Sequence, residues 1–239
     1  MTALQWHAAW QALIHHPLFG VGITLAAFQL AFAAYEKTRW VFLQPVLVSM
    51  LMVVGVLLAC GLGYEDYRLS AQMLTVMLGP ATVALAVPLY LNLRRIRELF
   101  GPIMITLLVG GITATALGMA LAWAFGADRM VLMTLAPKSV TSPIAMLVAE
   151  QIGGVVALAA VFVMITGILG AIFGPELLRR FGVQHPAARG MALGLTAHAV
   201  GTAQALQESE ECGAFAALAM SLMGVLTAVL LPLAVSLSL

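Results

Sequence analysis

Long stretches of this chain contain no charged residue, among them the five at 40–64, 69–93, 99–127, 151–175 and 212–239. Each is longer than the roughly 20 apolar residues that cross a bilayer's hydrocarbon core as a helix. A soluble domain has no use for five such runs. It also carries about 25% charged residues, against 9% here. Lipid offers the backbone no hydrogen bonds, so a non-barrel chain crosses it only as α-helix. The sequence therefore predicts an all-α polytopic membrane protein.

The eleven Lys and Arg and ten Asp and Glu gather between the apolar runs. Residues 1–16, with Trp6, Trp10, His7, His15 and His16, read as an interfacial helix, because Trp favours the headgroup level. Adjacent His15 and His16 diverge by about 100° on a helix and make a poor metal site. A single transmembrane domain is expected over 17–239, with scaffold helices over 17–60 and the motif-bearing part over 69–239. Crossings are expected at 17–35, 40–60, 69–93, 102–125, 155–173, 190–207 and 213–237. That makes about seven, with 130–152 as a re-entrant or discontinuous segment. Lys37, Arg39, Arg94, Arg95, Arg97, Arg179, Arg180 and Arg189 belong in the cytoplasm, since membrane loops rich in Lys and Arg stay inside. The acidic clusters Glu65 with Asp66, and Glu208 with Glu210 and Glu211, are expected to face outward. The N-terminus is then outside and the C-terminus cytoplasmic. No basic leader with a cleavage pattern opens the chain, so no removable signal is expected.

"LAPKSVTSPIAM", residues 135–146, sets Lys138 and three hydroxyls between two prolines. Proline removes a helical hydrogen bond and clashes with the preceding turn. Pro137 and Pro143 should therefore unwind 136–142. Ser142 is expected to cap a second half-helix that has Pro143 at its first position. The free amides of that half-helix carry partial positive charge. Lys138, Ser139, Thr141 and Ser142 around them would form a cradle for an anion. The bland alternative is an interfacial loop with Lys138 snorkelling. "LGPATVALAVP", residues 78–88, has a similar layout, with Pro80, Thr82 and Pro88, and suggests a degenerate internal repeat of broken helices. Paired broken helices point to a transporter's central site.

"GLTAHAVGTAQAL", residues 194–206, places Gly190, Gly194, His198 and Thr202 along one i,i+4 row of a helix. His198, with Thr196, Thr202 and Gln204 nearby, reads as a substrate ligand, a proton carrier near neutral pH, or a packing histidine. Glu150 is a second proton-carrying candidate or an interface marker. Net charge is +1, which gives no nucleic-acid footprint. Cys60 and Cys212 form no CxxC pair and read as inert thiols. No HExxH, GxSxG or phosphate-binding loop is present, so neither enzyme activity, metal nor cofactor is expected.

These three motifs, in this order and followed by "EECGAFAALAM" at 210–220, resemble the LrgB/CidB family of bacterial inner-membrane proteins, YohK-type members included. The resemblance runs from about Pro17 to the C-terminus. It implies an inner-membrane protein, homo- or hetero-oligomeric and partnered by a smaller LrgA/CidA-type membrane protein. Two functions follow from it. One is transport of small monocarboxylates such as glycolate, glycerate, lactate or pyruvate, as in the similar half of the plastid glycolate/glycerate translocator. The other is holin/antiholin-like modulation of murein hydrolases and autolysis. Gln204 stands where the family pattern has arginine, which would weaken anion binding, leave more of it to Lys138, or change the preferred substrate.

Overall fold

In the computed structural model the described residues are 10–38, 40 and 43–237, with Thr82 described by its backbone alone. All regular structure among them is helical. Most of the expected interfacial helix, including Trp6 and His7, lies outside the described residues, as does Arg39; residues 10–14 are helical. The chain divides into two compact units, 1–84 and 85–239.

The N-terminal unit holds α1 (Phe19–Thr38), α2 (Pro45–Cys60), α3 (Tyr64–Ser70) and α4 (Gln72–Ala84). Pro45 opens α2, where its missing N–H would have no partner. The Gln44 side chain caps the same turn by accepting from Leu47 N at 2.8 Å. Gly61, at φ 66°, closes α2 in the left-handed conformation that a side chain would resist. The chain then bends by 116° into α3. There Ser70 Oγ accepts from Gly20 N at 3.2 Å, and Tyr67 Oη lies 2.9 Å from Thr24 Oγ1, which ties α3 back to α1. Pro80 stands inside α4, with helix on both sides.

The C-terminal unit opens with three short helices, α5 (Ala86–Leu91), α6 (Leu93–Glu98) and α7 (Phe100–Ile105). Pro88 lies within α5, and Leu85 alone separates α5 from α4. A π-turn (Thr106–Gly110) joins α7 to α8 (Gly111–Ala124). Together Phe100–Ala124 make one apolar stretch of 25 residues. Then come α9 (Arg129–Leu135), α10 (Ser142–Gln151), α11 (Val156–Arg180), α12 (Pro186–Glu208) and α13 (Glu210–Leu237).

Two of these elements turn back on themselves. α9 runs inward from the end of α8, and residues 136–141 are irregular. α10 then returns, so that Val155 N donates to Thr134 Oγ1 at 2.8 Å and Gly154 lies against the Thr134 backbone. The second reversal is within α12. Residues 19 apart on a straight helix are separated by about 28 Å, yet Arg189 Nε and Nη2 meet the Glu208 carboxylate at 2.7 and 2.9 Å. The reversal is at His198, whose φ of 42° and ψ of −129° are not helical. Gly201 on the second arm packs against the Leu193 carbonyl on the first.

This corrects the expected crossing at 190–207. Each arm of α12 is at most about 18 Å long, little more than half of a hydrocarbon core of about 30 Å. The acidic end of α12 also sits with the arginines and not opposite them. Arg95 pairs with Glu211, and Arg189 with Glu208. Among the described residues five helices are long and apolar enough to cross a membrane, or six if bent α2–α3 is one span, against the expected seven.

The C-terminal unit has an internal symmetry. Phe100–Ala124 and Val156–Arg180 are 25 residues each and run in opposite directions. Each is followed by a hairpin: Pro186–Glu208, of 23 residues, matches 129–151 in length. The hairpins therefore enter from opposite ends.

Candidate functional site: two hairpin tips on one core

The two hairpin tips are held by one buried cluster. Val140, at the first tip, shares it with Val163 of α11, Leu195 of α12 and Ala219 and Met223 of α13. Burial on this scale, at about 25 cal/mol per Å2 of apolar surface, fixes both tips against the same centre.

At the first tip, Pro137 and Ser139 are buried and Lys138 is half-buried. The ammonium lies in a notch on α8. Lys138 Nζ donates to the Ala114 carbonyl at 3.2 Å and to Ser139 Oγ at 3.4 Å. The notch exists because position 118 is glycine: a Cβ there would meet Lys138 Cε at 2.7 Å. No carboxylate pairs with Lys138 among the described residues. Thr141 precedes α10 in extended conformation, making no side-chain cap, and Ser142 and Pro143 form its first turn. Helix bounds shift by a residue with the criterion, so the expected cap at Ser142 differs little from this. Glu150 is exposed, at the far end of α10.

At the second tip, His198 is buried, and its Nε2 lies 2.9 Å from the Val163 carbonyl. A carbonyl only accepts, so Nε2 carries the proton and a neutral ring leaves Nδ1 as an acceptor. Gly167 makes room for the ring; a Cβ there would meet Cε1 at 2.6 Å. Gly170 and Gly174 admit Ala197 and Leu193 in the same way, so the glycines of α11 form the bed of the hairpin. Thr202 Oγ1 donates to the His198 carbonyl at 2.9 Å. Thr196 is exposed and donates to the Ala192 carbonyl, and Gln204 is half-buried on the second arm.

Lys138, Ser139, His198 and Thr202 are thus anchored on a common core. Thr82 and Pro80 belong to α4 in the N-terminal unit. The structure adds partners that the sequence reading missed: the Ala114 and Val163 carbonyls, the seats at Gly118 and Gly167, and the Arg189–Glu208 pair. Opposite charges bracketing a short small-residue stretch were the available signal for that pair. Glu208 also raises the Arg189 guanidinium's pKa, chiefly through their hydrogen bonds. A separate cavity of about 470 Å3 opens between α8 and α13, lined by apolar side chains with Thr115 and Thr227; neither tip lines it.

The model of the LrgB-like family matches residues 24–237. The uncharacterized protein YxaC of Bacillus subtilis (strain 168) is 36% identical over 213 residues, covering 89% of this chain and 93% of its own. YwbG of the same strain is 36% identical, with 86% and 91% covered. The antiholin-like protein LrgB of Bacillus mycoides (strain KBAB4) is 30% identical, with 91% and 95% covered. No solved structure matches the chain. The match takes in the apolar helices and both hairpins: this chain is a multi-pass membrane protein and belongs to the LrgB-like family.

Proposed function

We propose that this chain transports small monocarboxylate anions, of the glycolate, glycerate, lactate and pyruvate class, in a bacterial inner membrane, together with an LrgA/CidA-type partner. The observation that carries the reading is the meeting of two oppositely inserted hairpins on one core. Irregular backbone at membrane depth is tolerated only where protein or water surrounds it. Paired discontinuous segments near the midplane are where secondary transporters hold their substrate, and inverted repeats let them open to either side.

In this reading Lys138 supplies the charge, and Ser139, Thr141, Ser142 and the first amides of α10 surround the carboxylate. The ammonium's present partners are a carbonyl and a hydroxyl. An arriving carboxylate replaces them with a charge-assisted bond, about twice as strong as a neutral one. Thr196, Thr202 and Gln204 are candidates for reading the hydroxyl or keto oxygen, and His198 and Glu150 for carrying a coupled proton.

Placing the arginines in the cytoplasm makes Pro186–Glu208 open inward and 129–151 open outward. Six crossings then leave both termini outside, which reverses the expected side of the C-terminus.

The second reading is favoured by the printed name of the Bacillus relatives, antiholin-like protein LrgB. Under it the chain modulates murein hydrolase activity through protein contacts and has no solute site. Proteoliposomes holding the purified chain, with and without the partner, should take up radiolabelled glycolate, lactate or pyruvate. A charge-assisted hydrogen bond contributes about 1.5–3 kcal/mol, so Lys138→Ala should lower uptake by at least about tenfold while inserting normally. Unchanged flux in Lys138→Ala would sink the anion site. Absence of flux for every solute, with autolysis altered in a deletion strain, would favour the second reading.

A further inference from the structure

We propose that the ion pairs at the base of the Pro186–Glu208 hairpin form a gate: they clasp its two arms on the arginine-rich end and close the His198 tip to solutes from that side. The inference rests on the transport reading, but its test does not need a substrate.

The clasp has two parts. Arg189 grips both oxygens of Glu208, and its Nη1 donates to the Val183 carbonyl at 3.1 Å, which joins the first arm, the second arm and the turn after α11. Arg95 Nε lies 2.9 Å from Glu211 Oε1, a charge contact without hydrogen-bond alignment, and so links α6 to the start of α13. Arg95 Nη2 also lies 3.2 Å from His185 Nε2, at the cap of α12. His185 Nδ1 accepts from Ala187 N. A neutral ring then carries its proton on Nε2, so the Arg95 contact is one of proximity only.

Three features make this cluster a gate and not only a brace. The Arg189 and Glu208 side chains are both less than a quarter exposed, so water screens their attraction only in part. Elsewhere the hairpin lies on glycine-lined backbone: Gly190 and Gly194 meet the carbonyls of Cys212 and Ala216, and Gly167, Gly170 and Gly174 face it from α11. These seats hold the hairpin by close apolar packing, so the clasp is the charged part of an otherwise apolar contact. The polar ties from the arms to α11 and α13 also include His198 to Val163, the Thr202 hydroxyl near the Met220 sulfur, and the Cys212 thiol 3.8 Å from Glu208 Oε2. The opposite hairpin has no matching clasp. At its base Asp128 caps Val131 N, and Glu150 is exposed with no ion pair among the described residues. The structure thus holds the inverted pair shut by charge at one end alone.

The test places spin labels at Gln184 and Gln207, which flank the base, in the full chain with Cys60 and Cys212 replaced by alanine. The parent should give one short, narrow distance distribution. Glu208→Gln and Arg189→Gln should broaden it or add a longer population. They should also speed labelling of a Thr196→Cys tip by a membrane-impermeant maleimide from the arginine-rich side, by about tenfold, as expected when a charge-assisted hydrogen bond loses one partner. The swap Arg189→Glu with Glu208→Arg should return both readouts toward the parent. Distances and labelling rates unchanged in the single variants would overturn the gate. If those variants fail to accumulate, the swap decides. A swapped chain that is monodisperse and closed supports the clasp; one that is open or misfolded refutes it. Carboxylate uptake is scored separately, so a failed transport reading leaves its own signature.

Discussion

At the scale of single residues, His198 meets two demands at once. Its positive φ turns the chain, and its ring bonds the Val163 carbonyl. A side chain in that region of backbone space adds strain of about 1–3 kcal/mol, which glycine lacks. His198→Ala should lose the hydrogen bond and keep the strain, whereas His198→Gly loses the bond and relieves the strain. His198→Gly should therefore be the more stable by about 1 kcal/mol or more, read as a higher melting temperature in detergent. An order reversed between the two would mean that the turn is not strained. Gly118 poses the complementary case. A Cβ there meets Lys138 Cε and Nζ at 2.7 and 3.2 Å, and a flexible side chain can give way. Gly118→Ala should leave the melting temperature within a few degrees of the parent. It should displace the ammonium and depress carboxylate uptake several-fold, whereas Gly22→Ala, with nothing near it, should do neither.

At the scale of elements, legibility followed the chemistry of the signals. Pro137 and Pro143 cannot both sit in a regular helix interior with the five residues between them helical, so the first break was readable, and residues 136–141 are irregular. The second was not. "GLTAHAVGTAQAL" holds no proline, and its glycines read as close packing, which they also provide. The reversal depends on the Arg189–Glu208 pair and on the seat at Gly167, and these are contacts distant in sequence. Pro80 shows the opposite limit: a proline signal that the helix absorbs. The hairpin makes a direct prediction. Spin labels at Ala188 and Gln207, both exposed, should lie far closer than the roughly 28 Å that a straight helix imposes on residues 19 apart. Paramagnetic distance measurement in nanodiscs checks this, and a distribution centred near the straight-helix value would restore α12 as a crossing.

At the scale of the whole molecule, the hairpin changes the topology that charge alone suggested. A crossing at 190–207 would place the cluster at 208–211 opposite Arg179, Arg180 and Arg189, and local charge composition favoured that arrangement. The fold instead cancels acidic against basic groups at one end, through Arg95 with Glu211 and Arg189 with Glu208. Orientation by charge counts Lys and Arg and is nearly blind to Asp and Glu. Under the proposed orientation the arginine-rich end is therefore cytoplasmic even with these glutamates beside it. Single cysteines at Phe181 and Ser209 should then react with an impermeant maleimide only in inside-out vesicles. Cysteines at Ala127 and Gln151 should react only in right-side-out vesicles, because both lie at the base of the opposite hairpin. If Ser209 labels together with Ala127, α12 crosses the membrane and the inverted pairing of the two hairpins fails. If Ser209 labels with Phe181, one end of the molecule carries both faces of its charge. Any solute passing between the tips must then leave past the Arg189–Glu208 pair.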